Sequence, residues 1–275
     1  MLQFSIPITL PNGRIVRAPE LSNRLYLTLI KYCENRDLEG INNFFIQFLN
    51  IPTDLDIIDR LYLLVCFRMI FISDSIIFTS DDGKNLTFSL ELILGKIEEI
   101  DRNYNEKIVV DSVTVTAGLP TTLYYEDEND RIKNVIKAVQ IKDINIDFNE
   151  LSDCERDNII KSLPLKVAIK IQEYIERVSK KVNDIILIDG NEEFNIQRYS
   201  IDLLSNSPML FVCSLYSHNL IDYFETLYGY VTKISADPEF HNSLSPVETR
   251  IMLNIHNKEV EKENKELKNQ QQQIQ

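Results

Sequence analysis

Residues 55–90 read LDIIDRLYLLVCFRMIFISDSIIFTSDDGKNLTFSL, and the rest of the chain has to be arranged around them. The stretch reads as one very apolar helix followed by a β-hairpin that turns at Asp82-Gly83. Leu55, Ile58, Tyr62, Val65 and Met69 share one helical face, while Leu61, Leu63, Leu64 and Phe67 cover the others. A helix apolar nearly all round must be buried on several sides, so its neighbours have to wrap it. Thr53 with Asp56, just after Pro52, reads as a capping-box start. The uncharged run ending at Phe67 is far shorter than the ~20 apolar residues of a membrane span, which makes this a core helix.

Upstream, FSIPITL and RIVRA flank Pro11-Asn12-Gly13 and form a short hairpin. Pro19 and Ser22 open an amphipathic helix with Leu21, Leu25, Leu29 and Tyr32 on one face. A second helix spans Leu38 to Leu49, with Ile41, Phe44, Phe45, Phe48 and Leu49 inward. Downstream, a helix runs from Leu90 to Ile100. Residues 108–125 are β-branched and aromatic and read as strands broken at Gly118-Leu119-Pro120. Ile132, Val135, Ile136 and Val139 then read as a helix, followed by the strand INIDF. Ser152-Asp-Cys-Glu155 is a capping box, and Pro164 opens a helix striped with Val167, Ile171, Tyr174, Ile175 and Val178.

Residues 184–198 repeat the strand, Asp-Gly turn and strand, this time at Asp189-Gly190, so two tandem helix–hairpin–helix units are one reading and a chance echo the other. The last third is helical, and its final helix opens at Ser245-Pro246-Val247-Glu248. Leu253, Val260, Leu267 and Ile274 recur every seven residues, but the alternate seam positions Asn257, Asn264 and Gln271 are polar. That pattern suits a solvated helix better than a coiled coil. The fold class is therefore α+β, mainly helical. Its expected segments are 1–105 (helical unit with hairpin), 106–150 (β-rich connection), 151–207 (second helix-hairpin unit) and 208–275 (helical extension with a polar tail).

The bulk numbers narrow the function. The chain has 275 residues, 44% hydrophobic and 26% charged, with a net charge of −13. That charge argues against nucleic acid or an anionic membrane as partner, because each phosphate contact needs a Lys or Arg. Protein partners are the better fit. MLQFSIPITLPNG lacks the basic start and apolar run of a signal peptide. Cys33, Cys66, Cys154 and Cys213 are far apart and read as reduced core thiols. The seven glycines form no phosphate-binding loop, and His218, His241 and His256 form no metal or nucleophile motif. No catalytic, cofactor or metal residues are therefore assigned, and the chain reads as a non-enzyme. Asp59 and Arg68, the charges bracketing the buried helix, read as end-of-helix ion pairs or snorkelling groups, with partner contact as the weaker alternative.

The order of these elements resembles the baseplate hub and hub-assembly family of T4-type contractile-tailed bacteriophages. The resemblance covers roughly residues 7–205 and runs from LPNG through RIVRAPELSNRLYLTLIK, Asp59-x-x-Tyr62-Leu63 and Arg68 to the hairpin, the Gly-Leu-Pro segment, INIDF and the capped Ser152 helix. Asp59, Tyr62 and Arg68 are its most specific residues. In that family the two hairpins often carry Cys-x-x-Cys-Gly knuckles. Here Thr79 with Asp82-Gly83, and Ile186 with Asp189-Gly190, stand in those places, so zinc does not carry over. The resemblance implies a non-enzymatic hub subunit or assembly factor in the host cytoplasm and the virion tail. Its partners would be other tail and baseplate hub proteins, or the tape-measure protein that it would chaperone, with a homo-oligomer left open. A hub-associated hydrolase is the outside alternative.

Overall fold

A computed structural model describes residues 5–52, 54–79, 85–100, 102–142, 144–182, 207–217, 220–234 and 237–274. Strands β1 (Ser5–Thr9) and β2 (Ile15–Pro19) form the N-terminal hairpin. Its tip closes through Gly13 N–H to the Leu10 carbonyl (2.8 Å), with Gly13 at φ +83°, a conformation that favours glycine. Helices α1 (Asn23–Glu34), α2 (Leu38–Leu49) and α3 (Ile57–Phe71) follow. Then come β3 (Ser75–Thr79), β4 (Asn85–Ser89) and α4 (Leu90–Glu98). The pairing of β3 with β4 is antiparallel, Ser75 opposite Ser89 and Thr79 opposite Asn85.

A four-stranded antiparallel meander comes next: β5 (Glu106–Val110), β6 (Val113–Ala117), β7 (Ile136–Ile141) and β8 (Ile144–Asp147), in that spatial order. Helix α5 (Glu128–Val135) sits between β6 and β7 in sequence. After the meander run α6 (Asp153–Ser162) and α7 (Leu165–Val182), and α7 lies on β5 and β6. The C-terminal helices are α8 (Ser207–Tyr216), α9 (Leu220–Ile234), α10 (Pro238–Ser243) and α11 (Pro246–Ile274). The architecture is mainly helical α+β with small antiparallel sheets, as the pattern of the sequence requires.

Helix α3 is the centre. Twelve of its fifteen residues are buried, and α4, α8 and α11 pack on it from different sides. A single cluster of buried apolar side chains runs from Ile8 to Tyr223, so α8 shares a core with the N-terminal helices. On α1 the buried apolar positions are Tyr26, Leu29, Ile30 and Cys33; Leu25 and Tyr32 are only half-buried. The inward face is thus rotated from the Leu21-Leu25-Leu29-Tyr32 stripe, because α1 is gripped by α2, α8, α9 and α10 rather than by one neighbour.

Three other expectations change. The N-cap of α3 is Asp56, whose side chain accepts from Asp59 N–H (2.9 Å), so the helix starts later than a Thr53 cap would place it; Thr53 lies outside the described residues. Ile136 and Val139 belong to strand β7, not to the preceding helix. They pair with Ala117 and Val115 of β6, and β-branched residues suit that ladder. Cys154 is exposed, unlike Cys33, Cys66 and Cys213, which are buried free thiols. Helix α10 was not anticipated, although Asp237 caps it and Pro238 occupies its first turn. The capping boxes at Ser152–Glu155 and Ser245–Glu248 are both formed, with Ser N–H to Glu Oε2 at 2.8 Å in each. The second hairpin, with Asp189 and Gly190, lies outside the described residues.

Phe67 is fully buried against Phe45, Phe48 and Phe71. Phe67→Ala is therefore expected to cost about 3–5 kcal/mol in urea unfolding. Ile144→Thr, at a site 66% exposed on an edge strand, is expected to stay within about 0.5 kcal/mol of the unsubstituted protein.

Candidate functional site

Asp59 is 1% exposed, and a buried carboxylate needs partners. It finds them on two distant segments. The Asn12 side-chain amide, at the tip of the β1–β2 hairpin, donates to one oxygen. Arg102 Nη1, from the segment after α4, donates to the other at 2.8 Å, and the same nitrogen lies 3.9 Å from Asp56. Burial raises the Asp59 pKa, the Arg102 guanidinium opposes the rise, and Asp56 adds to it. Nearby, Ile57 N–H donates to the Pro120 carbonyl (2.8 Å), which hangs the Gly118-Leu119-Pro120 loop on the same helix end. Arg60 is buried too and donates to the carbonyls of Leu55 and Pro52, and burial lowers its pKa to about 10. The start of α3 is thus a junction of hairpin, loop and post-α4 segment.

Tyr62, one turn on, donates its hydroxyl to Glu98 Oε1 of α4 (2.9 Å). Burial and this carboxylate raise its pKa. Arg68 lies nine residues beyond Asp59, roughly 13 Å along the helix axis. It is 8% exposed, and its Nη2 donates to the Ser75 carbonyl at the start of β3 (3.1 Å). The structure therefore does not gather Asp59, Tyr62 and Arg68 into one site; each fastens α3 to a different neighbour. Asp82, Gly83, Asp189 and Gly190 lie outside the described residues. Among the described residues no three His, Cys, Asp or Glu side chains are grouped to hold a metal ion.

What the sequence did not disclose lies at the other end of α3. A cavity of about 550 Å³ opens between Arg68, the 72–77 segment, α1, α8, α9 and α11. Asn23, buried at the start of α1, fixes one wall. Its amide donates to the His241 carbonyl (2.9 Å) and to Thr249 Oγ1 (2.7 Å), and its own N–H donates to the Leu244 carbonyl (2.7 Å). Tyr223 donates to the Asn23 carbonyl (3.2 Å), and Tyr216 donates across to the Leu64 carbonyl of α3 (2.6 Å). His241 is buried between the rings of Tyr223 and Tyr230, and burial lowers its pKa, which favours the neutral ring. No Asp or Glu is among the described residues lining the cavity, so His241 has no carboxylate there to orient or charge it. His218 lies outside the described residues. The early signal for this cavity was Arg68, the charge that follows the uncharged run Leu61–Phe67.

The family model for T4 bacteriophage base plate protein matches residues 1–188. No curated protein and no solved structure matches the chain. The matched span contains Asp59, Asn12, Arg102 and Arg68, whereas the α8, α9 and α11 walls of the cavity fall beyond it.

Removing the Asn12 amide leaves Asp59 one donor short, so Asn12→Ala is expected to cost about 1–3 kcal/mol in chemical unfolding. The pH dependence has a defined sign. Because the folded protein holds the Asp59 proton more tightly than the unfolded chain, this contribution is complete in acid. It is lost as pH rises from about 4 through the folded pKa. The stability difference between the unsubstituted protein and Asp59→Asn should therefore fall as pH is raised through that window. A difference that grows with pH would mean that Arg102 outweighs burial.

Proposed function

The chain belongs to the T4 bacteriophage base plate protein family, and from that membership we propose that it acts without catalysis in assembling the central hub of the phage tail baseplate. Its partners in this reading are other baseplate proteins. The observation that carries the non-enzymatic part is the use made of the buried charges: Asp59 and Arg60 are bound to neighbouring segments of the same chain rather than pointed at a substrate. On the cavity wall burial lowers the pKa of His241, and no described carboxylate lines the cavity beside it. Such an arrangement suits a stiff block that presents surfaces.

Two surfaces support an assembly role. Helix α11 extends for 29 residues, roughly 43 Å, and its residues 257–267 are exposed. Helix α9 shows Ile221, Phe224 and Tyr228 outward at helical spacing, 66%, 49% and 73% exposed. An apolar stripe of that kind marks an interaction face. It also favours the second reading, a transient chaperone that keeps the tape-measure protein soluble and is absent from the finished particle.

Mass spectrometry of purified phage particles separates the two. A hub subunit is expected to give peptides in fixed ratio to other baseplate proteins, and complete absence from particles made in its presence would transfer the function to the chaperone reading. Deletion of Glu259 to Gln275 is expected to weaken co-purification with hub or tape-measure proteins while leaving the unfolding midpoint nearly unchanged, since Glu259 to Leu267 are exposed. Unchanged co-purification would remove α11 from the binding surface.

A further inference from the structure

The cavity between the family-matched segment and the C-terminal helices has an unusual charge. The chain carries 42 Asp and Glu against 29 Lys and Arg, yet the described lining residues include two arginines and no carboxylate. Arg68 is enclosed. Its Nη2 donates to the Ser75 carbonyl, while Nε and Nη1, shut off from solvent, have no hydrogen-bond partner among the described residues. The groups that act on it electrostatically are the hydroxyls of Tyr26 and Tyr216, and burial carries the Tyr26 pKa to about 12 and that of Tyr216 well above its ordinary value. Both phenols are therefore neutral at physiological pH. A guanidinium held in low dielectric with no counter-charge among the described residues makes the adjoining space positive, and that field is weakly screened.

Helix α11 supplies further polar lining. Arg250 is exposed on α11, and Asn254 and Asn257 follow it at four and seven residues, on the same helical face. Ile72, Ile76 and Tyr223 supply apolar lining. The volume is that of a small-ligand pocket.

We propose that this cavity binds a carboxylate carried on an apolar stem, neutralising Arg68 from the cavity side and pairing with Arg250 at the mouth. A single negative charge matches the single enclosed cation. A phosphate dianion would bring a second charge into a partly apolar space. The side-chain amides of Asn254 and Asn257 orient the carboxylate, and the apolar wall holds the stem. The chain end of a partner protein and a free organic acid share this chemistry. The site stands independently of the hub and chaperone readings, because it rests on the cavity alone.

Calorimetric titration of the full chain tests it, with N-acetyl-leucine as probe, N-acetyl-leucinamide as its uncharged counterpart and inorganic phosphate as the competing anion. The acid is expected to bind, and the amide to bind at least about tenfold more weakly, the value of one charged hydrogen bond. Arg250→Glu, at an exposed position, should weaken the acid by about tenfold or more without altering the circular dichroism spectrum. Arg68→Met should abolish binding; if that variant does not fold, Arg250→Glu decides alone. Absence of binding, equal binding of acid and amide, tighter binding of phosphate, or an Arg250→Glu protein that binds normally would each overturn the proposal. A Gly-Ser-Gly-Ser-Leu peptide with a free C-terminus distinguishes the sources. Binding about tenfold tighter than N-acetyl-leucine assigns the site to a protein chain end, and equal or weaker binding assigns it to a free acid.

Discussion

Burial of α3 on every side is the constraint from which the rest of the structure follows. A helix with one apolar stripe can lie on a surface, but twelve buried residues in fifteen leave only Tyr62, Met69 and Ile70 half-buried. Each large apolar side chain on it contributes about 1.5–3 kcal/mol on burial, so any missing neighbour would cost several such contributions. The neighbours come from near and far along the chain: α4 follows after the β3–β4 pair, while α8 and α11 return from far downstream. The cross-links are polar and local. Tyr216 reaches the Leu64 carbonyl, Tyr62 reaches Glu98, and Ile57 N–H reaches Pro120. Hydrophobic packing is non-directional, and these bonds fix the rotation and depth at which each neighbour meets the helix.

The same burial explains how the charges are treated. Asp59 and Arg60 sit in the first turn of α3, where loop and hairpin backbones are close enough to provide donors and carbonyl acceptors. Arg68 sits at the far end, where β3 offers one carbonyl and the neutral hydroxyls of Tyr26 and Tyr216 are its other described polar neighbours. A buried ionic group with incomplete partners is costly, commonly by about 1–3 kcal/mol per unmet donor. Its retention beside a cavity is better accounted for by what enters that cavity than by the stability of the free chain.

The local features were legible because they are written locally. Helix α2 has the bounds that its apolar spacing demands, and the Ser152 and Ser245 capping boxes start α6 and α11 where the tetrapeptides place them. Ile136 and Val139 were misread because Ile132, Val135, Ile136 and Val139 satisfy a helical spacing over a stretch too short to exclude a strand. What decides is the open edge of β6, a non-local fact. The partners of Asp59 are 47 and 43 residues away in sequence, and no periodicity encodes such pairs. The cavity draws on α1, α3, the 72–77 segment, α8, α9 and α11, and only folding brings them together. Asn23 in particular reads as an ordinary residue at a helix start until its bonds to His241 and Thr249 are seen.

The extent of the family match bears on how this chain is built. The match ends at residue 188, but the core does not: Met209, Val212, Cys213, Leu215 and Tyr216 of α8 belong to the same buried cluster as Leu64 and Phe67. Residues 1–188 alone would expose the side of α3 that α8 covers and would free the Leu64 carbonyl from Tyr216. In this chain the C-terminal helix α8 covers a surface of α3 that the matched segment by itself leaves open. Because α9 and α11 leave this shared core carrying exposed apolar residues of their own, the extension both seals the matched segment and provides it with a new face.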